Sequence, residues 1–211
     1  MTAATTIHVV DDDVSFRNSI ARLLRTCGYQ VAVYESGVEF LKKLPLSGPG
    51  CILLDVRMPS LSGLELQDRL LQTDIILPII FLTAHGDIPA SVRAIKAGAE
   101  NFLSKPVSRK PLLEAVERAL ANYSDRSEQL SRLAAMRALV AGLTPRETEV
   151  FRLIVRGTLN KQIAHELGTS ERTIKAHRHA VMEKLGVASF AEAVSIAERL
   201  GMLDGAASVK R

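Results

Sequence analysis

Two stretches of the chain run from apolar residues straight into acidic ones: Ile7–Asp13 reads IHVVDDD, and Cys51–Asp55 reads CILLD. Three further apolar runs end at Tyr34, Leu82 and Leu103, and stretches with helical periodicity separate the five runs. Runs of valine, isoleucine and leucine without polar alternation are typical of strands buried on both faces of a parallel sheet. Residues 1–122 are therefore predicted to form an α/β domain, a (βα)5 flavodoxin-like sheet with helices on both sides.

The hydrophobic periodicity also predicts where each element begins and ends. The predicted strands are Ile7–Val10, Val31–Tyr34, Cys51–Leu54, Ile79–Leu82 and Asn101–Leu103. The predicted helices are Val14–Thr26, Gly37–Leu44, Leu64–Gln72, Pro89–Ala97 and Arg109–Asn122. Ligands bind outside the carboxyl ends of the strands in such sheets, so the residues that follow each run are the candidates for a site.

Composition restricts the class of protein. Of 211 residues, 47% are hydrophobic and 24% are charged, which is typical of a globular chain and excludes a disordered one. The longest apolar run, Ile75–Leu82, is far shorter than the roughly 20 residues of a membrane span. The first residues lack the pattern of a secretion signal, and Cys27 and Cys51 lack metal or disulfide spacing. These features predict a cytoplasmic protein with reduced thiols and no membrane partner.

Acidic and basic residues follow the predicted strands. Asp11 and Asp12 follow the first strand and Asp55 the third, while Thr83 follows the fourth and Lys105 comes just after the fifth. Carboxylates crowded at one edge repel one another unless a cation joins them, and Mg²⁺ (or Mn²⁺) suits such oxygen ligands. A carboxylate nucleophile, a metal, a hydroxyl and a lysine together predict an aspartyl-phosphate site. The alternative is that the acidic run only caps the next helix, a role expected for Asp13.

The rest of the chain is predicted to be helical. Residues 123–142 form a polar linker whose helical spacing allows it to continue the preceding helix, and an interrupted heptad leaves a coiled coil as an alternative. Residues 143–211 carry the excess positive charge, with 11 basic and 8 acidic side chains, against 13 of each in residues 1–124. Thr144 and Glu147 predict a capping box, and so do Ser189 and Glu192 before a helix at Ala193–Leu200.

The middle of this segment predicts two helices joined by a tight turn at Gly168 and Thr169, the minimal architecture of a major-groove reader. Asn160 is expected to cap the first of these helices, which runs to Leu167, and Ser170 the second, Glu171–Leu185. Five basic side chains and these two caps are candidates for DNA contacts: Lys161, Lys175, Arg178, His179, Lys184, Asn160 and Ser170. A helical bundle with a solvated basic face would have the same spacing.

The segments VVDDD (9–13), LLDVRMPSLSG (53–63), FLTAHGD (81–87) and AGAENFLSKP (97–106) together resemble the receiver domain of two-component response regulators. The resemblance implies that Asp55 accepts a phosphoryl group from a sensor histidine kinase. It implies a metal held by Asp12, Asp55 and the backbone carbonyl of Arg57, with Asp11 acting through water. It also implies a cis bond before Pro106, and a switch that links Thr83 to the aromatic residue Phe102.

The segments LTPRETEVFRLIVRG (143–157) and NKQIAHELGTSERTIKAHRHAVMEKLGV (160–187) resemble the LuxR/NarL helix-turn-helix. In that family the base-reading positions correspond to Lys175, Ala176 and His179, and dimers form through the last helix, here Ser189–Leu200. Such a dimer would meet two promoter half-sites about 34 Å apart. The combination of domains looks most like the FixJ branch, which includes the styrene- and toluene-responsive regulators.

These resemblances imply a phosphorylation-activated transcription factor, an activator rather than an enzyme, with RNA polymerase as a further partner. Phosphorylation is expected to expose a dimer face around Ile88–Ala97 and Asn101–Ser104. Three alternatives stay open. A phosphatase with an aspartate nucleophile would use similar residues, but Val56 and Arg57 replace its usual DxD pattern. A regulator that binds an acyl-lactone would share only the helix-turn-helix, and a regulator that ignores phosphorylation would not need the acidic pocket.

Overall fold

The computed structural model describes residues 5–46, 48–84 and 88–203. Within them the chain forms five strands, β1 to β5, in one parallel sheet with the spatial order β2-β1-β3-β4-β5. The strands are Thr6–Val10, Gln30–Tyr34, Gly50–Asp55, Ile79–Thr83 and Asn101–Ser104. Each predicted strand is present, and the structure extends each by one or two residues. The predicted α/β fold is confirmed.

Five helices alternate with the strands: α1 Val14–Thr26, α2 Gly37–Leu41, α3 Gly63–Leu70, α4 Ile88–Lys96 and α5 Arg109–Ala141. Alternate strand residues face opposite sides of the sheet, and both sides are covered. Ile7, Val9 and Leu53 belong to one apolar cluster with residues of α1 and α5. Val10 and Leu54 belong to the other, with residues of α2, α3 and α4. Burial on both faces explains why the strand sequences show no polar alternation.

The second helix is shorter than predicted. Periodicity predicted Gly37–Leu44, whereas α2 ends at Leu41. The amides of Lys43 and Leu44 bond only three residues back, to the carbonyls of Phe40 and Leu41. The ring of Pro45 disfavours helical backbone at the residue before it, so the chain leaves the helix early.

The fifth helix is longer than its predicted range, Arg109–Asn122, and runs for 33 residues through the expected linker. The chain divides into two compact units, Met1–Ser127 and Glu128–Arg211, and the division falls inside α5. Neither glycine nor proline occurs between Lys110 and Gly142 except Pro111 in the first turn, a position that helices tolerate. Nothing local therefore stops the helix before Gly142.

The second unit contains four more helices in its described part: α6 Pro145–Val155, α7 Asn160–Glu166, α8 Glu171–Leu185 and α9 Phe190–Arg199. They enclose an apolar cluster that includes Phe151, Ile163 and Val181. The predicted helical domain is confirmed. No helix of the described segments is both long enough and apolar enough to cross a membrane.

Two helix starts in this unit differ from the prediction. Leu159, not Asn160, occupies the N-cap of α7, and the side chain of Gln162 accepts the Leu159 amide. α9 begins at Phe190 rather than Ala193, since Ser189 accepts the amide of Glu192. The Glu192 carboxylate takes the amide of Ala188, so the predicted reciprocal box is incomplete. The Thr144–Glu147 box and the Ser170 cap form as predicted.

Candidate acidic site and helix-turn-helix surface

The acidic site lies where β1 and β3 end. The two strands are neighbours, and Val10 is in register with Leu54, so Asp11 and Asp55 emerge side by side. One carboxylate oxygen from each of Asp11, Asp12 and Asp55 lies within 4.8 Å of the others. Asp11 and Asp55 are buried, whereas Asp12 is exposed. The predicted meeting of these three side chains is therefore present, and it leaves one side open to a ligand.

Lys105 reaches into the same site from the end of β5. Its Nζ lies 2.6 Å from Asp11 Oδ2 and 3.0 Å from Asp55 Oδ1, and its side chain is 13% exposed. Its backbone amide donates to the carbonyl of Thr83, which ties the ends of β4 and β5 together. The peptide bond between Lys105 and Pro106 is cis. One ammonium group thus bridges two buried carboxylates.

The protonation behaviour of the site follows from burial and charge. Burial raises the pKa of Asp55, and the charges of Asp11 and Asp12 add to this effect, while the hydrogen bond from Lys105 opposes it. Burial alone would lower the pKa of Lys105, but its bonds to Asp11 and Asp55 outweigh burial, and the pKa is raised. Lys105 therefore stays protonated and provides a fixed positive charge beside Asp55.

Asp13, the third acidic residue of the run, caps α1 as expected. Its Oδ1 accepts the amides of Ser15 and Phe16, and these bonds lower its pKa. The cap sets the start of α1 directly after the two acidic residues of the site. Asp13 is not among the three carboxylates that meet at the site.

The remaining predicted residues surround Asp55 at different depths. Thr83 is buried at the end of β4. Phe102 is half-buried on β5, in register with Phe81, and the two ring centres are 6.0 Å apart. Arg57 is exposed two residues after Asp55. Part of the FLTAHGD segment that carried the resemblance, residues 85–87, lies outside the described residues.

Sequence reasoning missed two residues that support the site. Arg17 of α1 is buried, and its guanidinium donates to the backbone carbonyl of Asp11. Gly63, the first residue of α3, lies so close to β3 that a Cβ on it would be 2.1 Å from the carbonyl oxygen of Asp55. The glycine of the LSG segment was the only available signal for the second contact. A buried arginine on an otherwise amphipathic helix gives no comparable signal.

The second candidate surface is the pair α7 and α8. Gly168 adopts a left-handed conformation (φ 61°) between them, and the Thr169 amide donates to the carbonyl of Ala164. Ile174, Val181 and Leu185 of α8 are buried in the apolar cluster. Lys175, Ala176 and His179 are exposed. The structure thus presents the three predicted base-reading positions to solvent.

The predicted phosphate contacts differ in their surroundings. Lys161 is exposed. Arg178 donates to Asn160 Oδ1 at 2.9 Å, so Asn160 connects α7 to α8 instead of capping α7. Lys184 Nζ lies 2.6 Å from Glu147 Oε2 on α6. Lys184 is therefore engaged within the unit, which sequence reasoning did not foresee.

Comparisons with known proteins match both parts of the chain to known families. The family described as response regulator receiver domain matches residues 7–117, and the family described as bacterial regulatory proteins, luxR family, matches residues 141–197. Nodulation protein W of Bradyrhizobium diazoefficiens is 42% identical over 196 residues, which cover 93% of this chain and 86% of that protein. The transcriptional regulatory protein FixJ of the same species is 40% identical, over 97% of this chain and 100% of that protein.

Among solved structures, the response regulator StyR is similar with a TM-score of 0.82 and 44% identity, over 93% of this chain and 100% of that chain. The similarity therefore extends through both units and is not confined to the acidic site.

Proposed function

Because the chain belongs to the two-component response regulators that combine a receiver with a LuxR-type DNA-binding domain, in the FixJ branch, we propose that phosphorylation of Asp55 controls its binding to promoter DNA. Members of this family are regulators of transcription that work with a sensor kinase, not enzymes. The observation that carries the proposal is the buried contact of Asp55 with Lys105 beside Asp11. A site with this composition is suited to an acyl phosphate.

The proposed reaction transfers a phosphoryl group from a phosphohistidine of the kinase. A carboxylate oxygen of Asp55 attacks phosphorus, the new O–P bond forms as the N–P bond breaks, and the leaving imidazole nitrogen keeps the electron pair and takes up a proton. Burial makes the Asp55 carboxylate more basic and hence a better nucleophile. Lys105 supplies positive charge next to the oxygens that the phosphoryl group would bring.

The site residues fit a divalent cation. Three carboxylate oxygens within 4.8 Å, one of them on an exposed residue, match the preference of Mg²⁺ (or Mn²⁺) for a few carboxylates and several waters. Asp12, Asp55 and the backbone carbonyl of Arg57 would hold the ion, with Asp11 acting through water. When bound, the ion would neutralise the negative charge that builds up between carboxylates and phosphoryl oxygens.

The proposed switch uses residues that surround Asp55. The Thr83 hydroxyl and Lys105 would contact the phosphoryl oxygens, and Phe102 would follow the movement of Thr83. Phosphorylation can shift the receiver toward an active conformation only if the phosphoryl group binds that conformation more tightly. The active receiver would then dimerise through α4 and β5, around Ile88–Ala97 and Asn101–Ser104.

The proposed DNA surface is the exposed side of α8. Lys175, Ala176 and His179 would read bases, and Lys161, Arg178 and the amides at the Ser170 cap would approach phosphates. Arg178 bonds Asn160, and Lys184 bonds Glu147, so Arg178, Asn160 and Lys184 would exchange these partners for phosphate oxygens on binding DNA. The dimer proposed above would also be held together by Ser189–Leu200. It would bind two promoter half-sites, recruit RNA polymerase and act as an activator in the cytoplasm. The proposed domain limits stay 1–122, 123–142 and 143–211.

The phosphoacceptor is tested with radiolabelled acetyl phosphate and Mg²⁺ on the full chain. The native protein is expected to take up an acid-stable, base-labile label, and Asp55→Asn is expected to reduce it to background because the nucleophile is gone. Asp13→Asn is the matched control, since Asp13 caps α1 next to the site. Unchanged labelling of Asp55→Asn would overturn the assignment.

A further inference from the structure

An aromatic ring covers the lysine of the acidic site. Lys105 Nζ lies 4.3 Å from the centre of the Phe16 ring, a distance at which an ammonium is attracted to the face of an aromatic ring. Phe16 is half-buried in the first turn of α1 and packs against the apolar cluster beneath that helix. Its backbone amide donates to the capping carboxylate of Asp13, which anchors residue 16 at the start of α1.

Phosphorylation of Asp55 would change some of the three contacts of the Lys105 ammonium and leave another in place. Two are made to Asp11 and Asp55, at 2.6 and 3.0 Å. Both carboxylates belong to the group that can hold a metal ion, and Asp55 is the proposed nucleophile. The ring contact is independent of these carboxylates. It can therefore hold Lys105 in place while its other partners change.

We propose that Phe16 is a positioning residue for Lys105, whose ring holds the ammonium over the site during phosphoryl transfer to Asp55. The inference rests on the proposed function for its chemical consequence, although the contact itself does not. An aliphatic residue of similar size would fill the same space but would lose the attraction to the charge. The effect should therefore follow the aromatic character of residue 16 and not its volume.

The test compares Phe16→Leu, which keeps apolar packing, with Phe16→Tyr, which keeps the ring. The rate of labelling by acetyl phosphate at saturating Mg²⁺ is measured on the full chain. We expect Phe16→Leu to slow labelling about two- to five-fold, the size of a partly exposed cation–π contact. Phe16→Tyr should stay close to the native rate, and Mg²⁺ affinity should be unchanged in both. Equal rates for the two variants would overturn the proposal.

A matched control separates loss of the ring contact from general loosening of the core. Tyr29→Leu removes a half-buried ring from the same apolar cluster beyond the other end of α1. We expect it to label at the native rate. If Tyr29→Leu slowed labelling as much as Phe16→Leu, the effect would be one of packing, and the proposal would be wrong.

A second measurement keeps the inference distinct from the proposed function. Protons of the Lys105 side chain that lie above a ring face resonate upfield in the NMR spectrum. Their signals are assigned by their loss in Lys105→Arg, and the measurement needs no phosphodonor. The upfield shift should persist in Phe16→Tyr and vanish in Phe16→Leu. If the native protein were not labelled, the proposed function would be wrong, but the upfield shift would still show whether the ring contact exists. Absence of the shift in the native protein would overturn the inference.

Discussion

Gly63 shows how one residue can fix the position of the proposed phosphoacceptor. Its amide donates to the carbonyl of Val56 at 3.0 Å, which brings the start of α3 against the end of β3. A Cβ at this position would lie 2.1 Å from the carbonyl oxygen of Asp55 and 3.1 Å from the Leu54 side chain. No flexible side chain can yield to relieve the first contact, so any substitution must move Asp55 or α3.

Gly63→Ala is therefore expected to impair both stability and chemistry. Overpacking of this kind costs about 1–3 kcal/mol of unfolding free energy, and a displaced Asp55 should slow labelling by acetyl phosphate at least about tenfold. Gly50→Ala is the matched control. Gly50 lies at the end of β3 far from Asp55, and a Cβ on it would lie 2.1 Å from the carbonyl oxygen of Thr6 in β1. It should destabilise similarly but leave folded protein labelling normally. Equal labelling rates in the two variants would contradict this prediction.

The residues that sequence reasoning found and missed differ in what makes them recognisable. Asp11 and Asp55 could be predicted because each ends an apolar run, and parallel strands end at one edge. Arg17 and Phe16 could not, because their roles depend on how α1 is rotated against the sheet. Hydrophobic periodicity indicates which face of a helix is buried. It does not indicate which side-chain atoms of the helix reach a site at the end of the helix.

Glu147 connects two helices of the second unit. It completes the capping box of α6 by accepting the Thr144 amide at 2.8 Å, and it pairs with Lys184 in the last turn of α8. The Lys184 hydrogen bond and then the Thr144 amide lower the pKa of Glu147 to about 2. An ordinary glutamate has a pKa of about 4.3. The ionised carboxylate is thus part of how α6 and α8 are held together.

Lys184→Met is expected to change the acid sensitivity of this unit. Because the folded-state pKa of Glu147 is depressed, its contribution to stability is present above about pH 5 and is lost as the pH falls toward about 2. Removing the main partner raises that pKa, so the variant should be less stable at pH 7 and lose less on acidification. Hydrogen exchange of α6 and α8 amides from pH 7 to 3 measures this.

The control for this experiment is Lys161→Met, which removes an exposed lysine of the same unit. It should follow the native acid profile. A Lys184→Met profile parallel to the native one would mean that another group governs acid stability.

Element boundaries were predictable where a local signal sets them. The Thr144 box, the Ser170 cap and the end of α8 at Leu185 depend on local hydrogen bonds or backbone conformations, and the structure has all three. The Asn160 cap was wrong because Leu159 precedes it in the cap position and Arg178, 18 residues away, binds its side chain. The end of α5 could not be predicted, because its residues contain no stop signal before Gly142.

At the scale of the whole molecule, an apolar stripe on α4 fits the proposed dimer. Ile88, Val92 and Ile95 are 72%, 48% and 48% exposed. Their spacing of four and three residues puts them on one face of the helix, and the helix itself contacts β5. Exposed aliphatic residues at helical spacing lose their contact with water if a second receiver packs on them. Sequence periodicity indicated α4 but could not show that this face is exposed.

Light scattering with and without beryllofluoride and Mg²⁺ tests whether this stripe responds to phosphorylation, since beryllofluoride mimics the phosphoryl group on Asp55. The native chain is expected to double in mass only with the mimic. Val92→Glu should remain monomeric, because two buried carboxylates would face each other across the interface. Leu71→Glu, which changes a residue that is 62% exposed beyond the end of α3, should dimerise normally. If Val92→Glu still dimerised, the interface would lie elsewhere. If the mass of the native chain did not change with the mimic, dimerisation would not be part of the switch.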